Sequence, residues 1–288
     1  MRRILVIGAK GMLGRDLVEI LRSSFGTGKS GYEVFGWDLD EIDIREEADA
    51  VSKIENLQPE IVINVAAYTD VDGCEVEQEK AFLINAEGMR HVAVAGERCQ
   101  AKVIYLSTDY VFDGQKKKPY AEDDPPNPIN IYGQTKLKGE RYLQALVDNS
   151  LIIRTQWLYG KFGKNFVSSI LRQGKEKGVL SVVDDQTGSP TYTVDLSKAI
   201  VSLIRSDGRG IFHVVNEEVC TWYVFAQAVL KAAGLEGVRI ISISSEDLGR
   251  QALRPSYSAL STKKLKEETG MSLRPWPEAM KDYLSVLS

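Results

Sequence analysis

Tyr132 and Lys136 stand four residues apart in the run IYGQTKLKGE. On a helix that spacing sets them one turn apart on the same face. A phenol titrates near 10, and a cation within about 4–6 Å favours the phenolate. Lys136 is therefore expected to lower the pKa of Tyr132. Upstream, YLSTDYVFDG brings Ser107, Thr108, Asp109 and Tyr110 to what reads as the end of a strand. A hydroxyl there can hold a carbonyl oxygen by hydrogen bond, in the manner of an oxyanion hole. Thr108, Tyr132 and Lys136 together could serve carbonyl reduction, the tyrosine supplying the proton. Alone, a YxxxK pair reads as a solvated helix face. What surrounds it decides.

A hydride source is the missing part. Gly8, Gly11 and Gly14 in VIGAKGMLGRDL form GxxGxxG, directly after a strand pattern and opening a helix. Glycines there permit a tight turn and let the backbone and a helix N-terminus approach a pyrophosphate. After the next strand comes Asp38, in FGWDLDEIDI. A carboxylate at that place accepts hydrogen bonds from the adenosine ribose, which favours NAD over NADP. Lys10, inside the glycine loop, would offset that preference, so both NADH and NADPH stay open. FGTGKSG, from Phe25 to Gly31, is a decoy: the P-loop pattern needs glycine at 23, where Ser23 stands, and a strand follows it instead of a helix. It reads as a helix-to-strand loop.

These residues need a scaffold. RILVIG, YEVFGWD, EIVINVAA and AKVIYLSTD read as strands, with helices MLGRDLVEILRSS, EEADAVSKIENLQ and EKAFLINAEGMRHVAVAGERCQ between them. Alternating strands and helices imply βαβ units and a parallel sheet covered on both faces. Strands apolar throughout agree with double coverage. VFDGQKKKPYAEDDPPNPIN is a long surface loop, and a loop of ~20 residues is usually functional or disordered. LIIRTQWLYG reads as one further strand, and helices are expected near Thr193–Arg205, Trp222–Ala233 and Trp276–Val286. The fold class is α/β, a Rossmann-type doubly wound sheet with a smaller, partly interleaved C-terminal lobe. Residues 1–160 would bind the dinucleotide and 161–288 the substrate.

Composition narrows the partners. The 288 residues are 43% hydrophobic and 26% charged, with net charge −4. That acidic balance argues against nucleic acid and anionic membranes. No apolar run approaches the ~18 residues of a membrane span. The run after Arg2 and Arg3 is too short for a signal peptide. Cys74, Cys99 and Cys220 lie far apart, as expected in a reducing, cytoplasmic setting. His91 and His213 are too isolated for a histidine zinc site.

With the glycine loop, the strand-end Ser-Thr and YxxxK in hand, the chain resembles the extended short-chain dehydrogenase/reductases. NVAAYTDVDGCE, STDYVFDG, YGQTKLKGE, RTQWLYGKFGKNF, DDQTGSPTYTVDL and RPSYSALSTKKL resemble, in order, the dTDP-4-dehydrorhamnose reductases within that group. The resemblance implies reduction of the C4 ketone of dTDP-4-dehydro-L-rhamnose by NAD(P)H. It implies Tyr132 as proton donor, Lys136 as its tuner and ribose anchor, and Thr108 as carbonyl positioner. Met12 and Leu13 would join the glycines at the cofactor, with Asp43 and Ile44 by the adenine and Ala66, Ala67 and Thr69 along it. Asp109, Tyr110 and Trp157 would meet the sugar, and Arg254 the nucleotide phosphates. Some members are linked to Mg²⁺ at an acidic subunit contact, which a homodimer would form. The chain ends LSVLS, and Asp16 alone makes no metal site, so no metal ligand is assigned. Two alternatives stand. One is an epimerase or other reductase of the same fold. A dehydratase is disfavoured because Tyr110 stands where a Thr-Asp-Glu run would have glutamate. The other is a non-catalytic regulatory subunit of the methionine adenosyltransferase type.

Overall fold

In the computed structural model, which describes residues 2–26 and 31–287, the first half alternates strands and helices. They are β1 (Arg2–Ile7), α1 (Met12–Phe25), β2 (Tyr32–Trp37), α2 (Glu47–Leu57) and β3 (Ile61–Asn64). Then come α3 (Val71–Val76), α4 (Gln78–Phe82), a π turn (Leu83–Glu87), α5 (Gly88–Arg98) and β4 (Lys102–Thr108). A 3₁₀ turn (Asp109–Val111), α6 (Ile131–Leu146) and β5 (Ser150–Thr155) complete it. Most of the decoy loop, residues 27–30, lies outside the described residues.

The second half holds β6 (Leu158–Tyr159), α7 (Phe166–Glu176), β7 (Val179–Val183), β8 (Thr187–Gly188), β9 (Thr191–Tyr192) and α8 (Thr193–Arg205). It continues with β10 (Gly210–His213), β11 (Cys220–Thr221), α9 (Trp222–Ala232) and β12 (Arg239–Ile243). The last helices are α10 (Ser245–Leu248), α11 (Lys263–Thr269) and α12 (Trp276–Ser285).

Six strands form one parallel sheet in the order β10-β5-β4-β3-β1-β2. Both faces are buried, which is why the strand sequences are apolar without alternation. In β1, Ile4 and Val6 face a cluster with Leu17 and Leu21 of α1 and Leu196 and Ile200 of α8. Leu5 and Ile7 face the opposite cluster, with Ile54 of α2, Met89 and Val92 of α5 and Leu143 of α6. The chain leaves β1 toward β2 on one side and reaches β3 on the other. Ligands of such sheets bind beyond the strand carboxyl ends at that switch. Strand β10 and helix α8 come from the second half yet complete this first sheet. A separate cluster of Tyr159, Ile170, Phe225, Val229, Trp276 and Tyr283 fills the lobe.

Two elements differ from expectation. The long helix over 79–100 is interrupted by the π turn Leu83–Glu87. The strand expected over 151–160 breaks between β5 and β6. Gln156 is tied across the chain, its side-chain amide donating to the Ser258 carbonyl (3.2 Å) and accepting from the Ser189 N–H (3.2 Å). Trp157 takes φ +49°, a left-handed conformation that strands do not use. The long loop is tied down: Tyr120 pairs by backbone with Ala259 and Ser261 and stacks on Phe112 at 4.2 Å.

Candidate active site

Beyond the carboxyl ends of β1, β3 and β4 lies a cleft of about 740 Å³. The glycine loop forms one end. Gly8 has φ +87°, and a Cβ there would stand 2.7 Å from the Ala66 nitrogen. A Cβ on Gly14 would stand 2.1 Å from the Gly8 carbonyl. Glycine is thus required at both positions for loop and helix to close up. Helix α1 begins at Met12 with Gly11 as its cap and no side chain on its free N–H groups. Those donors at the cleft's edge fit a pyrophosphate. Gly8, Gly11, Met12, Leu13 and Gly14 all line the cleft, with Ala66, Ala67 and Thr69 across from them. Asp38 lines it too, its Oδ2 accepting from the Lys10 N–H at 2.8 Å.

The other end is built by β4 and α6. Asn130 caps α6, its Oδ1 accepting from the Gly133 N–H at 2.8 Å. This sets Tyr132 and Lys136 in the helix's first turns, facing the cleft. Thr108 closes β4 and lines the cleft together with Tyr132. Its hydroxyl also donates to Asp109 Oδ1 at 3.1 Å. Tyr110 meets the Tyr132 ring edge-on, centroids 5.7 Å apart. The Lys136 ammonium donates to the Leu106 carbonyl at 2.7 Å and lies 4.0 Å from the centre of the Tyr105 ring. One turn further along α6, Glu140 accepts two hydrogen bonds from Arg154, at 3.0 and 2.7 Å, and one from Ser107. All three are buried, so this ion pair is shielded from solvent.

Burial dominates the titration here. It depresses Lys136 to about 7, opposed by the Glu140 charge. It lifts Asp109 to about 7, opposed by hydrogen bonding to the carboxylate. Tyr132 is raised well above 10, by burial first and then by neighbouring Asp109 and Tyr110. The lowering of Tyr132 expected from Lys136 is therefore reversed. Desolvating the phenolate sets the direction, and Lys136 is not among the groups that move Tyr132 most.

On the lobe side, Trp157 stacks on Trp222 at 3.7 Å with planes 14° apart, and both line the cleft. Trp222, Gln156 and Lys164 are site residues that sequence reasoning missed. Trp222 begins α9 behind its Thr221 cap, and nothing local to it points at Trp157. Three expected residues stand outside the cleft lining. Asp43 holds the Arg45 guanidinium, and Ile44 is buried against α5. Arg254 is bound by Asp72, at 3.1 and 3.0 Å. Asp16 accepts from the Thr193 hydroxyl. Among the described residues, no group of three or more histidines, cysteines or carboxylates is placed to hold a metal. His91 and His213 bond the Ile44 and Tyr120 carbonyls, at 2.8 and 3.0 Å.

A glycine cradle, a strand-end hydroxyl, a half-buried tyrosine and a buried lysine thus share one cleft. Comparison with known proteins agrees in scale. The family model described as "RmlD substrate binding domain" matches residues 1–288. The spore coat polysaccharide biosynthesis protein SpsK of Bacillus subtilis (strain 168) is 42% identical, covering 100% of this chain and 99% of that protein. A dTDP-4-dehydrorhamnose reductase of Aggregatibacter actinomycetemcomitans is 36% identical, over 98% of each chain. The crystal structure of dTDP-4-dehydrorhamnose reductase from Bacillus anthracis str. Ames in complex with NADP superposes with a TM-score of 0.93 at 38% identity. That match covers 99% of this chain and 100% of the other. The chain belongs to the RmlD substrate-binding-domain family.

Proposed function

We propose that the protein reduces the C4 ketone of dTDP-4-dehydro-L-rhamnose to dTDP-L-rhamnose with NADH or NADPH. The observation that carries this reading is the single cleft joining the glycine cradle to Thr108, Tyr132 and Lys136. When bound, the reduced nicotinamide supplies a hydride to the carbonyl carbon. The glycine loop and the α1 N-terminus would hold the pyrophosphate, with Ala66, Ala67 and Thr69 along the cofactor. Thr108 positions the carbonyl oxygen. Tyr132, held neutral by burial, is a phenol at physiological pH and so carries the proton that the developing alkoxide needs. Lys136 anchors the cofactor ribose and offsets charge that forms on Tyr132 when its proton leaves. Asp109, Tyr110, Trp157 and Trp222 would enclose the sugar.

On this reading residues 1–160 supply most of the dinucleotide half and 161–288 the substrate lobe, with α8 and β10 returned to the first sheet. Three free cysteines suit a cytoplasmic enzyme, and the homodimer is proposed from the family resemblance alone. The regulatory-subunit reading is not favoured, because hydroxyl, phenol and ammonium are all present.

The test is a coupled assay, with the ketosugar made in situ from dTDP-glucose. Wild-type protein should oxidise reduced cofactor. Tyr132→Phe should bind cofactor normally and turn over at least about a hundredfold slower, the scale of one general acid. No oxidation by wild type with either cofactor ends the proposal, and a near-wild-type rate for the variant removes Tyr132 from the mechanism.

A further inference from the structure

The family relationship leaves the choice between NADH and NADPH open, and the sequence left it to a contest between Asp38 and Lys10. The structure assigns that contest to Asp38: we propose that this chain discriminates in favour of NADH. The proposal rests on the dinucleotide reading of the glycine cradle. Asp38 lies at the end of β2, beside the loop, where an acidic side chain meets the adenosine ribose hydroxyls. Its orientation is fixed by two backbone donors. Oδ2 accepts from the Lys10 N–H at 2.8 Å and Oδ1 from the Leu39 N–H at 2.9 Å. Each carboxylate oxygen retains a second acceptor site for a ribose hydroxyl.

A 2′-phosphate would need a cation there. Lys10 is the lysine of the glycine loop, and its ammonium is already bound to Asp40, with Glu41 at 3.9 Å. Glu41 in turn accepts from the Asp38 N–H at 2.8 Å, which keeps its charge at the same turn. Three carboxylates therefore face one ammonium. A phosphate entering this turn meets net negative charge, and it must also strip Lys10 from its partner. A neutral ribose meets two free acceptor sites instead.

Equilibrium binding, read by quenching of tryptophan fluorescence, tests this without turnover, using NADH and NADPH separately. Wild type should bind NADH at least about tenfold more tightly, the effect of 1.4 kcal/mol. Asp38→Asn should narrow the ratio by improving NADPH. Asp40 is exposed and outside the cleft lining, so Asp40→Asn tests the same point without touching Asp38. By freeing Lys10 it should tighten NADPH severalfold and leave NADH within about twofold. Equal or tighter binding of NADPH by wild type overturns the proposal and leaves the reductase reading standing. So does a ratio that neither variant moves. Failure of both nucleotides to bind removes the dinucleotide reading itself, and this inference with it.

Discussion

Asp109 and Tyr132 show how far burial, more than neighbouring charge, sets the chemistry of single side chains here. Asp109 is buried and Tyr132 half-buried at the cleft wall, and both carry a proton more readily than they would in water. For Tyr132 this suits a donor. For Asp109 it has a consequence for stability. Its folded pKa is about 7, against about 3.9 for an unperturbed aspartate. The folded protein binds the proton between those values while the unfolded chain does not. The associated stability is fully present below the unfolded pKa and is lost as pH rises through 7. Asp109→Asn cannot lose it. Chemical denaturation at about pH 4 and about pH 8 should show the variant gaining roughly 1–3 kcal/mol on wild type across that interval. A constant difference would mean that Asp109 does not titrate there.

At the scale of elements, the site depends on where chain segments end. Helix α6 begins at a cap that turns Tyr132 inward, β4 ends at Thr108, and β5 breaks at Gln156 so that Trp157 leaves the strand. That break and the start of α9 bring Trp157 and Trp222 face to face. The stack forms the lobe's wall of the cleft, at the end away from the glycine loop. Trp222→Ala should therefore raise KM for the nucleotide sugar by roughly 3–10-fold, the worth of one aromatic pair. Cofactor affinity measured alone should hold. Equal losses in both would place the stack in general support of the fold instead of at the sugar.

For the whole molecule, the shared sheet matters most. Phe212 of β10 and Leu196, Ile200 and Leu203 of α8 are buried in the same cluster as Leu17 and Leu21 of α1. The second half thus covers one face and one edge of the first. A chain truncated after residue 160 would expose that face and should not form a stable monomer. The intact protein should unfold in one transition, with far-ultraviolet dichroism and tryptophan fluorescence coincident. Two separated transitions, or a folded 1–160 fragment, would show that the halves are independent.

Much of this follows from the order of residues alone. Strand and helix periods, the GxxGxxG loop and the YxxxK pair depend on spacings of a few positions, and local backbone geometry turns such spacings directly into a turn or a shared face. The parallel sheet and the grouping of Gly8, Thr108, Tyr132 and Lys136 in one cleft follow from them. Other features arise only when distant segments meet. Trp222 joins Trp157 across sixty-odd intervening residues, well beyond the windows of about 11–18 residues in which local patterns are read. Arg254 is claimed by Asp72 and Lys10 by Asp40, pairings that depend on which charges the fold brings within reach. The sign of the Tyr132 shift belongs with these. Spacing placed a cation one turn away, but the desolvation that sets the direction exists only once the surrounding chain has excluded water.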